Sequence, residues 1–534
     1  MNFQDHRSWL EQAEKQIAHA RTTLNTNRDA FVNAPFDLAV QQLQKTINLL
    51  EEAYTLQDHD AENCLKKAQL AIVEAQDSYL LSLPSRVAEA RGVWYRPTEK
   101  SLEEVSRTLD RMQAAGLNEL YLETWYWGYT IFPSRTAAAN QIEQQHPAFR
   151  GWDPLEAFVT EGEKRRIAVH AWLDGFMVGV DPKGGPVLRT YPAWCALSRR
   201  QVNAEKPMPQ EETGFFWLDI VNPEVRQYFL NIVKEIATTY NVAGINLDFM
   251  RFPHAKSWQD AYCFSSYARE AFQREQGMDP LLIKQQSKLW HSWMAWIEQA
   301  EDDFMAELYK EMKRLSVKII ISSTPEPGVE SEKIRNWSQH VDVVIPQAYE
   351  ANSAQVRHSV QRHKSELLPG NLVYSGIYPM YIHLGAQETV EQVLAARDLD
   401  GGTVIFAFGQ ATDETIHALR KGPWRNRAIS TGLFPIKAVH ELINSLKMDI
   451  EQIYLPRHGM TEQAAKEWID KLDLFLVSML PEHAALETMA STCIQYLNES
   501  RAAGILHPAA DLQMTNTFTQ ILELLLYAHI KKLT

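Results

Sequence analysis

Residues 244–253 read GINLDFMRFP: a short apolar run, Gly244 to Leu247, ends in Asp248 and is followed by Arg251, Phe252 and Pro253. An acid that closes a run suited to burial on both faces has two readings. Asp248 and Arg251 could form an ion pair capping a strand end. Alternatively, Asp248 could project into a cleft as nucleophile or acid, with Arg251 holding it ionised or binding a substrate hydroxyl. Three more carboxylates are candidates to work with it: Glu326 in STPEP, where prolines on both sides fix the backbone, Glu123 in YLETWYW, and Asp174 in AWLDGF. A pair of carboxyl groups flanking one bond is what glycoside hydrolysis requires, one to protonate the leaving oxygen and one to activate water or attack directly. Asp219 in FFWLDIVNPE is expected instead as a cap or loop ligand for the helix that follows, and Asp342 as a structural acid.

Flat rings and polar groups accompany these acids at the ends of apolar runs: Trp94 and Arg96, then Trp125, Tyr126 and Trp127, then His170 and Trp172, and later Gln347, Tyr349, Tyr378 and Phe408. Sugars present apolar C–H faces that lie on aromatic rings and hydroxyl rims that take hydrogen bonds from carboxylate, amide and guanidinium groups. An oligo- or polysaccharide is therefore the expected ligand. Rival chemistries lack their motifs, since H-E-x-x-H, G-x-S-x-G and a P-loop are all missing. No ligand set has metal-binding spacing, so neither metal nor cofactor is expected. Cys64, Cys195, Cys263 and Cys493 are scattered without a C-x-x-C pair and are expected as separate buried thiols. A formal net charge of −14 disfavours nucleic acid as a partner and suits a neutral or cationic ligand. No apolar run is long enough to cross a bilayer. Oligomeric state is not legible.

The elements that must position these groups can be counted. Eight β-like runs occur at 91–96, 118–124, 167–173, 244–249, 318–322, 342–349, 371–377 and 403–408, and most are separated by helical patterns such as PEVRQYFLNIVKEIATTY, where Pro223 suits a first helical turn. Eight strand–helix alternations predict an α/β fold, a (β/α)8 TIM barrel, whose chemistry sits at the carboxyl ends of the strands. A doubly wound open sheet would want a Gly-rich turn after the first strand, where Arg96, Pro97 and Thr98 stand instead. Flanking the barrel at 91–425, residues 1–85 carry helical apolar spacing for three helices and residues 430–534 are again helical, giving all-helical regions at both ends.

The stretches RGVWYRP, ETWYWGYTIFPS, IAVHAWLDGF, VNPEVRQYFLNIVKEIATTYNVAGINLDFMRFP and VDVVIPQAYE, in that order, resemble the glycosyl-hydrolase-like family 10 proteins, bacterial TIM barrels related to glycoside hydrolases. The resemblance covers residues about 91 to 425 and implies hydrolysis of a bacterial polysaccharide or cell-wall glycan, some members being similar to enzymes that cut peptidoglycan strands stripped of their peptides. It puts Asp248 and Arg251 in the family's fourth-strand signature, Trp125 and Tyr126 among its second-strand aromatics, and His170 and Trp172 in its third-strand pair. Two departures leave the catalytic pair open. Asp174 stands where many members have Asn, and Phe249 where some have a second acid. The alternative is a glycan-binding or scaffolding barrel without turnover. A small-metabolite enzyme fits the aromatic ends poorly. The opening residues, MNFQDHRSWLEQAEKQ, lack the basic start and apolar core of a secretory signal; read literally they imply a cytoplasmic protein, whereas the family implies export or the cell envelope.

Overall fold

A computed structural model of the chain describes residues 6–180, 184–211, 213–326, 331–478 and 483–533. The parallel strands are β1 (Ala90–Tyr95), β2 (Glu119–Tyr126), β3 (Ala168–Leu173), β4 (Gly244–Leu247), β5 (Ile320–Ser323), β6 (Val343–Val344), β7 (Leu372–Val373 and Ser375–Ile377) and β8 (Gly402–Ile405). Each pairs with the next in order, and β8 returns to β1 with Gly402 opposite Ala90. The two pieces of β7 are one stretch interrupted at Tyr374, the first bonded to β6 and the second to β8, so the sheet closes into the expected barrel. A two-residue strand, Tyr129–Thr130, folds back on the end of β2.

Alternation along the strands decides what fills the barrel. On β4 and just past its end the inward row is Gly244, Asn246 and Asp248. Asn246 accepts a hydrogen bond from the Trp94 indole at 3.0 Å and donates to Ser322 Oγ at 2.9 Å. Gly244 is needed because a Cβ there would stand 2.5 Å from His170 Nδ1 and from the Ile320 carbonyl oxygen. The helix Pro223–Thr239 that feeds β4 begins as its sequence predicts, with Pro223 in the first turn and the Asn222 side chain accepting the Glu224 N–H at 2.9 Å. Asp219, as expected, serves the same loop by accepting the Val221 N–H and the Ser265 hydroxyl. Asp342 accepts the Ile321 N–H at 2.7 Å and pairs with Lys313, a structural role at the other end of the barrel.

Helices close that other end. Pro435–Asp449, Glu462–Ser478 and Pro508–Lys531 bury Leu442, Leu446, Trp468 and Phe518 in one apolar cluster with the barrel residues Ala90, Tyr121, Ile320 and Tyr374. Polar contacts fix the docking: Tyr527 donates to the Gly432 carbonyl at 3.1 Å, Lys531 to that of Val341 at 2.6 Å, and Gln520 to that of Ala88 at 3.0 Å. The N-terminal helices His6–Asp29, Phe36–Leu56 and Ala61–Leu81 pack on both neighbours. Asp77 pairs with His417 and Lys421 of the barrel helix Asp413–Lys421, while Phe31 meets Tyr454 and His507 of the C-terminal region. The two terminal regions thus touch each other and the barrel. Among the described residues no helix is long and apolar enough to cross a membrane.

Candidate active site

The carboxyl ends of β2, β3 and β4, neighbours in the barrel, bring together Glu123, Asp174 and Asp248, all buried. Asp248 lies just past β4. Its Oδ1 accepts the Phe249 N–H at 2.9 Å and faces Gln347 Nε2 at 3.4 Å, while Oδ2 faces the Trp172 indole N–H at 3.3 Å. Burial raises its carboxyl to about 6, with Glu326 adding repulsion. Burial likewise pushes Glu123 up to about 7 against the pull of Arg96, whose Nε donates to both carboxylate oxygens at 2.9 Å. Asp174 is raised well above the ordinary carboxylate range by burial and then by the charges of Glu123 and Asp248, and its Oδ1 meets no protein donor among the described residues. Glycine permits this crowding. At φ +53°, Gly175 turns the chain directly after Asp174, and a Cβ there would stand 2.5 Å from the Asp248 carbonyl oxygen.

Glu326 is built differently. Burial would raise its carboxyl, but the hydrogen bond from His254, at 3.1 Å, and the pairing with Arg251 together hold it below the usual range. Arg251 therefore requires a correction: its partner is Glu326, not Asp248, and it also donates to the Phe252 carbonyl at 3.0 Å while lying 5.3 Å from the Trp217 ring centroid. Asp248 makes no ion pair with Arg251, whose charge only offsets a small part of the rise that burial causes.

The aromatic residues divide. Trp172 lies at the base of the mouth with its edge on Asp248, and Arg96 covers its face. Beyond β6 and β7, Tyr349 stacks on Tyr378 at 4.7 Å and on Phe406 at 6.0 Å. On the opposite side, at the end of β2, Tyr126 stacks on His146 at 5.2 Å and adjoins Trp127, which is 41% exposed at the turn of the short hairpin. Four expected ligand contacts lie elsewhere and are corrected. A register shift between Glu123 and Trp125 turns Trp125 away from the barrel interior, where it is fully buried against Tyr228 and Phe229. Trp94 and His170 are buried inside the barrel below the mouth; His170 stacks on Tyr121 at 4.6 Å, and burial lowers its imidazole to about 3. Phe408 falls past the end of β8, in a turn packed on Tyr95. Sequence reasoning missed Phe406, Tyr381 and His254. Phe406 had a signal, because alternation from Val404 points it inward; Tyr381 and His254 reach the mouth on loops and had none.

Residues 87–384, more than half of the chain, match the glycosyl hydrolase-like 10 family. The chain belongs to that family. The match ends before β8, short of the span expected from the sequence. Curated relatives of this family member include glycosyl hydrolase DigH of Escherichia coli K12, 26% identical over 144 residues that make up 26% of this chain and 32% of the relative. Glycosyl hydrolase YngK of Bacillus subtilis 168 is 20% identical over 210 residues, 34% and 38% of the two chains. The chain thus spans about a third of the length of the curated relatives it matches. Among solved structures, the catalytic domain of a β-amylase from Paenibacillus polymyxa aligns with 63% of this chain and 98% of its own, at 8% identity and a TM-score of 0.45. The spore cortex-lytic enzyme SleL of Bacillus megaterium QM B1551 aligns with 64% and 75%, at 10% identity and a TM-score of 0.38. Likenesses this distant say nothing of substrate.

Proposed function

We propose that the mouth of the barrel hydrolyses glycosidic bonds in a bacterial polysaccharide or cell-wall glycan, with Asp248 as the ionised carboxylate, nucleophile or base, and Glu123 as the acid. One observation carries this: three buried carboxyls, Glu123, Asp174 and Asp248, converge from neighbouring strand ends beneath rings that line both sides of the opening, and burial raises each of them. Acid–base chemistry at neutral pH needs one carboxyl to keep its proton while its neighbour loses it. Asp174, whose carboxyl is raised by burial and by the charges of Glu123 and Asp248, is the third acid of the cluster. Glu326 is committed to Arg251 and His254; this suits it to push on Asp248 rather than to donate a proton. DigH and YngK are named glycosyl hydrolases, which agrees with the chemistry but leaves the glycan open.

A glycan-binding barrel without turnover is the second reading. What favours it is that arginines, Arg96 and Arg251, each already engage a carboxylate of the mouth. Reducing-end release from a panel that includes chitooligosaccharides and denuded peptidoglycan separates the two. Hydrolysis by the parental protein is expected, whereas glycan binding without release would establish the second reading.

A further inference from the structure

We propose that Arg96 is a displaceable gate: its guanidinium occupies the ring face that an entering sugar would take, and its departure leaves Glu123 to hold the proton that bond cleavage needs. This rests on the glycosidase reading of the mouth. Arg96 Cζ lies 5.3 Å from the Trp172 ring centroid and 5.5 Å from that of Phe406, two rings set edge to face at 6.2 Å. Trp172 is tethered through its indole N–H to Asp248, so its face points where a sugar reaching Asp248 would stack. A ring arriving there meets the guanidinium first.

The pair between Arg96 and Glu123 is lopsided. The arginine side chain is 57% exposed and the glutamate 1%, so the arginine can swing into water and the glutamate cannot follow. A guanidinium does not lose its proton under ordinary conditions, so it leaves as a cation and takes its charge with it. The other titratable groups facing Glu123 are Asp174 and Asp248 on the adjoining strand ends and Tyr126 on its own strand, and none of them supplies a positive charge. Stripped of Arg96, the buried carboxylate takes one proton from solvent and becomes the carboxylic acid. Glu123 gives that proton to the leaving oxygen; on product release the arginine returns to the carboxylate, and the proton taken from the attacking water, held by Glu123 in a retaining route and by Asp248 in an inverting one, goes to solvent. Entry of a sugar would in this way arm the acid at the moment it is required, while the empty site keeps Glu123 as a paired anion at higher pH. Arg96 acts through Glu123 and is a positioning residue.

Two measurements test this. The first needs no ligand: infrared titration of the Glu123 carboxyl, identified by difference against Glu123→Gln, in the parental protein and in Arg96→Gln. The titration should move up by about one unit or more when the guanidinium is removed; an unmoved midpoint overturns the coupling. The second uses the glycan that the parental protein cleaves best. Arg96→Gln should lower KM, because the ring face stands open, and should carry the alkaline limb of the kcat/KM profile to higher pH while leaving that of kcat in place, since the parental guanidinium has already left Glu123 in the substrate complex. A raised KM would show that Arg96 binds the sugar, and an unchanged KM and profile with a lower melting temperature would show a structural part; either overturns the gate. Arg96→Lys, a shorter-reaching point charge, should fall between the two. A parental protein that cleaves no glycan overturns the function of the mouth and the gate with it, and the ligand-free titration still tells whether Arg96 governs Glu123.

Discussion

Glu119 and Glu123 stand four residues apart on the inward row of β2, and burial raises both carboxyls. At the closed end of the barrel, Glu119 accepts the Ser430 hydroxyl and the Tyr121 hydroxyl, at 2.7 Å for the latter, with His170 at 3.6 Å, beneath helices that shut off solvent. At the open end, Glu123 is held by an exposed arginine and shares its surroundings with an Asp174 oxygen that meets no protein donor among the described residues. The difference teaches that a raised carboxyl marks burial, which both ends share. A candidate site needs in addition an open side and hydrogen-bonding capacity not spent on the fold.

Neutralising each glutamate is the sharpest way to break this contrast. Glu123→Gln should lower turnover by roughly 10²- to 10⁴-fold, the usual share of a positioned acid, with a melting temperature near the parental one. Glu119→Gln should leave the folded protein active and cost about 1–3 kcal/mol of stability through its disturbed hydrogen bonds. Rates and thermal melts on both variants decide, and loss of turnover in a folded Glu119→Gln would erase the distinction.

Tryptophan and tyrosine substitutions repeat the contrast at the mouth itself. Trp125→Ala should cost about 3–5 kcal/mol of stability, since the ring is core. Tyr349→Ala should raise KM roughly tenfold, the scale of one lost stacking contact, with little effect on the melt. Equal and opposite outcomes would mean that Trp125 belongs to the mouth and Tyr349 to the core.

The smallest expected effect is on stability against pH. Asp248 has its carboxyl raised to about 6 in the folded protein, so the folded state binds more protons than the unfolded chain between about pH 4 and 6. Its contribution is therefore fully present below the unfolded value and is lost as pH rises through 6. Asp248→Asn, which cannot ionise, should melt higher than the parental protein at pH 8 by an amount worth at most about 3 kcal/mol, and the gap should close near pH 4. A lower melt at pH 8 would mean that Asp248 serves the fold as an anion.

Much of this was legible in the sequence where a local period carried it. Eight apolar runs gave eight barrel positions, and alternation through Gly244, Asn246 and Asp248 is enough to aim Asp248 inward. The same alternation fails at Trp125, because the register shift after Glu123 is a property of strand pairing that a single strand does not show. Read through TVIFAF it sets Phe406 and Phe408 on the same row as Val404, and only the turn that begins at Phe408 separates the two rings. Arg251 and Glu326 lie 75 residues apart, and no local pattern announces that a loop after β4 takes its partner from a loop after β5. The helical flanks displayed apolar stripes, but a stripe says that a face is covered and not by what. Only the folded chain reveals that the C-terminal helices seal the end of the barrel away from the acids.

The central claim, that the open end carries the chemistry through Asp248, is tested most directly by measuring glycan turnover and thermal unfolding together on Asp248→Asn. The amide is nearly isosteric and can still meet Phe249, Trp172 and Gln347. The account predicts a protein that is folded, binds glycan as the parent does, and turns over slower by three orders of magnitude or so, the several kcal/mol that a nucleophile or base supplies. An Asp248→Asn protein that cuts glycan at the parental rate would contradict it.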